Sequence, residues 1–250
     1  MNMDFLFLWM MALVRAGGLM VMVPVFSGQN IPVQIRIALA ALLAYAACGF
    51  VHFTATIPAD VPTLILAIAH EALIGLLMGF VARLVLYALE FAGQLMSTEL
   101  GLTMSTQIDP ISHANSSPLA VALFYFGSLL FLLSGAHHMV FAAFLRSFEL
   151  AAPGGLGLSR NVAELFVSAT SNIFLVALQM AAPLMAVNFV VTFTFALLGK
   201  AAPSINVFSE SFSVRIFAGL TMLGLTLGLT AQLVLRHATA APELMLHLIP

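Results

Sequence analysis

The sequence predicts an all-α membrane protein of about six apolar segments, and three observations predict it. Of 250 residues, 62% are hydrophobic and 7% are charged, against about 25% charged in an ordinary soluble domain. The mean hydropathy is +1.11. Apolar runs recur at residues 5–26, 37–53, 63–92, 119–145, 163–198 and 212–235. A helix rising about 1.5 Å per residue needs about 20 residues to cross a hydrocarbon core of about 30 Å. So few charges cannot build a water-facing surface.

The first run lies in "MNMDFLFLWMMALVRAGG", which lacks a basic leader and a small-residue cleavage pattern, so it reads as a retained segment. The second holds Cys48, the single cysteine. One cysteine excludes an internal disulfide framework and a cysteine metal cluster, and in this setting it reads as a small packed hydrophobe. The third and fifth runs, about 30 and about 36 residues long, exceed a simple span. They must bend, fold back or extend beyond the bilayer. Pro183 in the fifth removes a backbone donor and predicts a kink or break. Gly75 and Gly79 in "GLLMG", and Gly224 and Gly228 in "GLTLG", are small residues four apart, a spacing that lets helix backbones approach closely. The fourteen methionines are mostly core.

Charge does not orient these segments. With six crossings, Arg36, Lys200 and Arg215 fall on one side and Arg146, Arg160 and Arg236 on the other, a tie where a positive-inside excess is expected. The tie predicts helices that do not sit in lipid in the ordinary way. A weak repeat relates "VPVFSGQNIPVQIRI" from Val23 to "INVFSESFSVRI" from Ile205, each passing from Val-Phe-Ser to Arg-Ile.

Several function classes drop out. A net charge of −2 leaves no electrostatic footprint for nucleic acid. His70-Glu71 fails as a zinc helix, because position 74 is Ile74 where a second histidine is needed. His137 and His138 are adjacent, hence about 100° apart on a helix, and cannot chelate one ion from that helix. No serine nucleophile motif, phosphate loop or dinucleotide turn is present, so neither an enzyme nor a cofactor is expected. Glu71, Arg83 and Glu90 stand out, since ionisable groups inside an apolar run are costly. Arg83 and Glu90 share nearly one helix face. They read either as a proton relay in a coupled secondary transporter or as ion pairs and inter-subunit contacts in a protein-lined interior, and the second reading is favoured.

One stretch breaks the apolar pattern: "ELGLTMSTQIDPISHANSSP", Glu99 to Pro118, with Glu99 and Asp109 its only formal charges. Asp109-Pro110 favours a turn, and Ser116, Ser117 and Pro118 suit the start of the next helix. Short uncharged polar side chains satisfy their own backbone. Irregular backbone at membrane depth is tolerated only where protein buries it or it lines a wet cavity. A surface loop and a loop held inside a pore both remain open on these residues.

Three blocks, in order, carry a resemblance. The first is Arg15, Gly18, "PVF" at residues 24–26, Pro32 and Arg36. The second is "EALIGLLMGF" from Glu71, followed by "AGQLMSTELGLTMSTQIDP" from Ala92. The third is "AAPSINVFSESFSVRI" from Ala201, in which Ala202, Pro203, Asn206, Phe208 and Phe212 fit the pattern, ahead of Arg215. In these blocks the chain resembles the FliR family of flagellar biosynthesis proteins, components of the type III secretion export gate, with a sister group in virulence injectisomes. Ser204, Ser211 and Ser213 depart from the family's usual Gln, Gly and Pro and leave the turn geometry open.

The resemblance implies tilted, kinked helices and helical hairpins related to FliP and FliQ, assembled with them into a cone around a channel, with FlhA and FlhB as further partners. It implies one export-gate domain over residues 1–250, in the bacterial inner membrane at the flagellar basal body, in contact with lipid and with exported flagellar proteins. It also implies that residues 101–118 plug the lumen through Thr103, Met104, Ser105, Thr106, Gln107, Asp109, Pro110, Ser112 and Asn115, with Met96 and Met104 flanking. Glu71, Gly75, Gly79, Arg83, Glu90, Pro203, Asn206, Phe208 and Arg215 are then expected to serve assembly.

Overall fold

The structure is a computed structural model that describes residues 3–23, 26, 31–50, 60–103, 117–154, 162–202 and 206–249. These residues form seven α-helices and no strand: α1 (Met3–Met22), α2 (Val33–Phe50), α3 (Val61–Glu99), α4 (Pro118–Leu133), α5 (Ala136–Leu150), α6 (Val162–Ala201) and α7 (Val207–His247). Among the described residues, α1, α3, α6 and α7 are long and apolar enough to cross a membrane, and the α4–α5 pair adds a fifth span if counted as one.

The six apolar runs map onto helices with two instructive differences. The fourth run is two helices, because the chain bends by 68° between α4 and α5. Gly135 takes the left-handed conformation there, at φ 72°, which costs glycine no Cβ clash. Leu132 and Phe131 carbonyls, left over at the end of α4, accept from Gly135 N and Ser134 Oγ. The third run is one uninterrupted helix of 39 residues, and the fifth is one of 40 residues that passes through Pro183 without breaking. The missing proline N–H leaves the Gln179 carbonyl without its helical donor, a loss that one turn in eleven can absorb.

The chain divides into two compact units. The first comprises Met1–Leu84, Phe131–Thr170 and Arg236–Pro250, and the second Val85–Leu130 and Ser171–Leu235. In the first, α1 and α2 pack as a helical hairpin. Phe5, early in α1, meets Tyr45, late in α2, edge to face with ring centroids 6.5 Å apart. Ala40, Ala44 and Ala47 form the buried stripe of α2, a spacing of three to four that keeps them on one face. Met11, Leu19, Met20, Ile74, Met78, Phe144 and Phe148 complete this core.

In the second unit, the end of α3 packs against α4. A Cβ on Gly93 would meet the backbone of Ala120, and one on Gly127 would meet Leu86 and Leu89, so these two glycines permit the contact. Val176, Ala177, Met180, Ala181, Leu184 and Asn188 form the buried stripe of α6. Phe189, Val190, Phe193, Phe217, Leu225 and Leu229 lie exposed.

Candidate functional site

In each unit a polar cluster is buried among apolar helices. In the first, α1 and α3 come together at their small residues: a Cβ on Gly75 would strike the Arg15 carbonyl, one on Gly79 would lie 2.6 Å from Met22 Cβ, and one on Gly18 would lie 2.9 Å from the Ala72 carbonyl. That close approach brings Arg15 to Glu71, both 0% exposed. Arg15 Nε donates to Glu71 Oε2 at 2.6 Å and Nη2 donates to Oε1 at 3.0 Å. Nη1 donates to Ser147 Oγ at 2.9 Å, and Nη2 also reaches the Ala151 carbonyl at 3.1 Å.

Ser147 in turn donates to the Phe144 carbonyl, and Glu71 Oε1 accepts from Gly154 N at 3.1 Å. The guanidinium lies 4.1 Å from the Phe148 ring centroid, a cation–π distance. Burying two charges is expensive unless they pair well and their remaining hydrogen-bonding capacity is met. Here a bidentate fork meets a carboxylate, and the positive group also closes the carbonyl end of α5, where helix ends favour cations. The cluster joins α1, α3 and the end of α5.

In the second unit, Asn188 is 3% exposed in α6. Its Nδ2 donates to both the backbone carbonyl and the carboxylate Oε2 of Glu99, each at 2.8 Å. Glu99 ends α3. Beyond it Gly101, at φ 73°, donates to the Thr98 carbonyl and Leu102 donates to the Ser97 carbonyl, the paired bonds of a Schellman cap. Ser97 Oγ accepts from Leu119 N at 3.3 Å, and Ser117 Oγ accepts from Ala120 N at 3.3 Å. Ser117 is thus the cap of α4 and Pro118 its first residue, as the sequence predicts. Leu100 seats against Gly219 of α7.

The other expected residues are spread along the helices. Gly75 and Gly79 form the α1 contact with the charge pair beside them. Arg83 and Glu90 are half-buried on α3. Asn206 Oδ1 accepts from Ser209 N at 3.3 Å and caps α7. Phe208 falls in the first turn of α7, and Arg215 donates to Ser211 Oγ at 3.1 Å. Thr103 lies in the turn after α3 and Met96 is buried. Met104, Ser105, Thr106, Gln107, Asp109, Pro110, Ser112, Asn115 and Pro203 lie outside the described residues. The rings of His137 and His138 lie 3.9 Å apart, and among the described residues no three His, Cys, Asp or Glu side chains gather as a metal site. The pairing of Glu71 with Arg15 and the roles of Asn188 and Ser97 were not read from the sequence. The signal for the first was two opposite charges in apolar runs, each within four residues of a glycine.

Long apolar helices, buried polar groups that bridge helices and a glycine-lined crossing define a polytopic helical membrane protein. Within that class, the chain matches over residues 6–241 the family described as bacterial export proteins, family 1, and it belongs to that family. It is 28% identical over 232 residues to the flagellar biosynthetic protein FliR of Escherichia coli strain K12, covering 90% of this chain and 85% of that one. It is 28% identical over 214 residues to the FliR of Caulobacter vibrioides, covering 85% of each. It is also 33% identical over 167 residues to the Yop proteins translocation protein T of Yersinia pestis, covering 64% of this chain and 62% of that protein.

Proposed function

We propose that the chain is a structural and gating subunit of the type III protein export gate of the bacterial flagellum, seated in the inner membrane at the basal body and without catalytic activity of its own. The observation that carries this reading is the family match across residues 6–241, with flagellar relatives over 85–90% of the chain. Helix length supports it. The 40 residues of α6 and the 41 of α7 run to about 60 Å each, about twice the hydrocarbon thickness, and tilts of up to about 40° do not absorb the excess. No formal charge stands between Glu164 and Lys200, and only 22% of the apolar window of α7 is buried within the chain. Such surface needs cover beyond a bilayer, which sister subunits of related fold, FliP and FliQ, would supply, with FlhA and FlhB beside them. Residues 101–118 would plug the channel they enclose, and unfolded flagellar proteins would be the cargo.

Co-expression with FliP and FliQ followed by native mass spectrometry tests the assembly. A mixed complex is expected; a chain that purifies alone and moves a solute in liposomes, with the flux stopped by Glu71→Gln, would overturn the reading in favour of a coupled transporter. Against that transporter stands the pairing of Glu71, whose two oxygens accept from Arg15 and Gly154. Deleting residues 105–117 is expected to make the assembled complex leaky to small ions, and an unchanged leak removes the plug. The equivalent subunit of a virulence injectisome is the second reading, supported by the Yersinia relative; the greater coverage by the flagellar relatives favours the first.

A further inference from the structure

We infer that Asn188 is a positioning residue that locks the junction between α3 and α4, so that the chain leaves α3 and enters α4 at fixed points. The inference deepens the proposed gate, and its functional consequence rests on that reading.

Asn188 is the last buried residue of the α6 stripe and Glu99 the last residue of α3, so their contact stands where the packing of these helices ends. One amide group holds two acceptors of a single residue, the carbonyl and the carboxylate of Glu99. A hydrogen bond to a charged acceptor is stronger than a neutral one. Two residues inward, Ser97 accepts one backbone donor from each side of the junction: its carbonyl takes Leu102 N and its hydroxyl takes Leu119 N. Gly93 lets the backbone of Ala120 lie directly on α3, and Gly219 lets α7 seat on Leu100. Three elements therefore grip the last turns of α3, while both strands of chain at the junction are pinned to Ser97.

The lock is also releasable. Asn188 Oδ1 is buried with no hydrogen-bond partner, and a buried acceptor left unsatisfied costs free energy. The amide therefore loses less on letting go of Glu99 than a fully bonded group would.

Asn188→Asp tests this, because it keeps the shape and replaces the donor with a carboxylate facing Glu99. In the purified complex, amide hydrogen exchange at Leu102 and Leu119 is expected to rise about tenfold or more, the size of a lost bond to a charged group. Amides of α3 before residue 90 should not change. Adding Glu99→Gln to Asn188→Asp exchanges donor and acceptor, restores one contact and conserves net charge; it is expected to return most of the protection and most of the export of flagellar proteins. Ser97→Ala separates the two sides, raising exchange at Leu119 while Leu102, bonded to the Ser97 carbonyl, stays protected.

Unchanged exchange in Asn188→Asp overturns the inference, as does faster exchange that Glu99→Gln fails to rescue. Exchange that responds as expected while export by a fully assembled complex stays at the wild-type level overturns the functional role. A wild-type chain that forms no complex with export subunits refutes the gate instead, and the exchange measurements on the chain alone still decide the lock.

Discussion

Each of the two compact units holds a polar cluster among apolar helices, and the two clusters are held in opposite ways. In the first, a full positive charge meets a full negative charge, both wholly buried, and four guanidinium N–H groups have named acceptors. In the second, a neutral amide meets a half-buried carboxylate and keeps one acceptor idle. A buried, bidentate charge pair is unfavourable to open, because each partner would be stranded in an apolar interior. An under-satisfied amide has less to lose. The comparison assigns permanence to the crossing of α1, α3 and α5, and adjustability to the end of α3, where the proposed gate needs a part that can move.

Breaking the first cluster should have the largest effect. Glu71→Ala leaves the Arg15 guanidinium buried and unmatched, and is expected to cost about 3–5 kcal/mol, read as a collapse of the thermal transition or of folded yield in detergent. Arg15→Met combined with Glu71→Leu removes both charges and should recover most of that loss. If the single change costs less than about 1 kcal/mol, at the level of an exposed pair, the contrast between the units fails.

Next comes the crossing itself. Gly75→Val places side-chain atoms against the Arg15 backbone, which cannot withdraw as a flexible side chain can. The expected cost is about 1–3 kcal/mol, the range for overpacking, measured by the same unfolding scan. A smaller effect belongs to the second unit: Ser117→Ala removes the α4 cap and should cost about 1 kcal/mol, whereas Ser117→Gly should cost only a few tenths. Equal losses for the two serine changes would mean the hydroxyl is not acting as a cap.

How far the sequence discloses these two clusters differs for a physical reason. Apolar runs find helices because a membrane demands them, so each of the six runs overlaps a helix. Helices outrun these runs where they continue through polar residues: α3 runs on through Gln94 to Glu99, and α7 begins before Arg215 and ends after Arg236. A backbone ladder does not require apolar side chains, only the absence of a stop signal. The stop after α3 is Gly101, and the break within the fourth run is Ser134-Gly135; both are glycine signals legible locally. Long-range pairing is another matter. Glu71 is visibly costly in an apolar run, but the seven-residue spacing there relates Arg83 to Glu90 on the same helix, whereas its partner Arg15 lies 56 positions away. Asn188 carries no charge and lies in an apolar run, so nothing in its neighbourhood marked it.

The smallest expected effect sharpens the comparison most, because two motifs with the same glycine spacing differ in their surroundings. "GLLMG" and "GLTLG" both set glycines four apart on a long apolar helix, yet a Cβ on Gly75 or Gly79 meets α1 at once, while one on Gly224 or Gly228 meets nothing within 4 Å. Glycine inside a helix is less favourable than alanine by about 0.5–1 kcal/mol. In the isolated chain, Gly224→Ala should therefore raise stability by up to that amount, the reverse in sign of any change at Gly75. A loss of stability on Gly224→Ala would mean that the chain's own helices already fill this stretch of α7. A gain, together with weaker recovery of FliP and FliQ on co-purification, would place a neighbouring subunit's backbone against it, since only contact with another molecule could turn a more stable helix into a poorer partner.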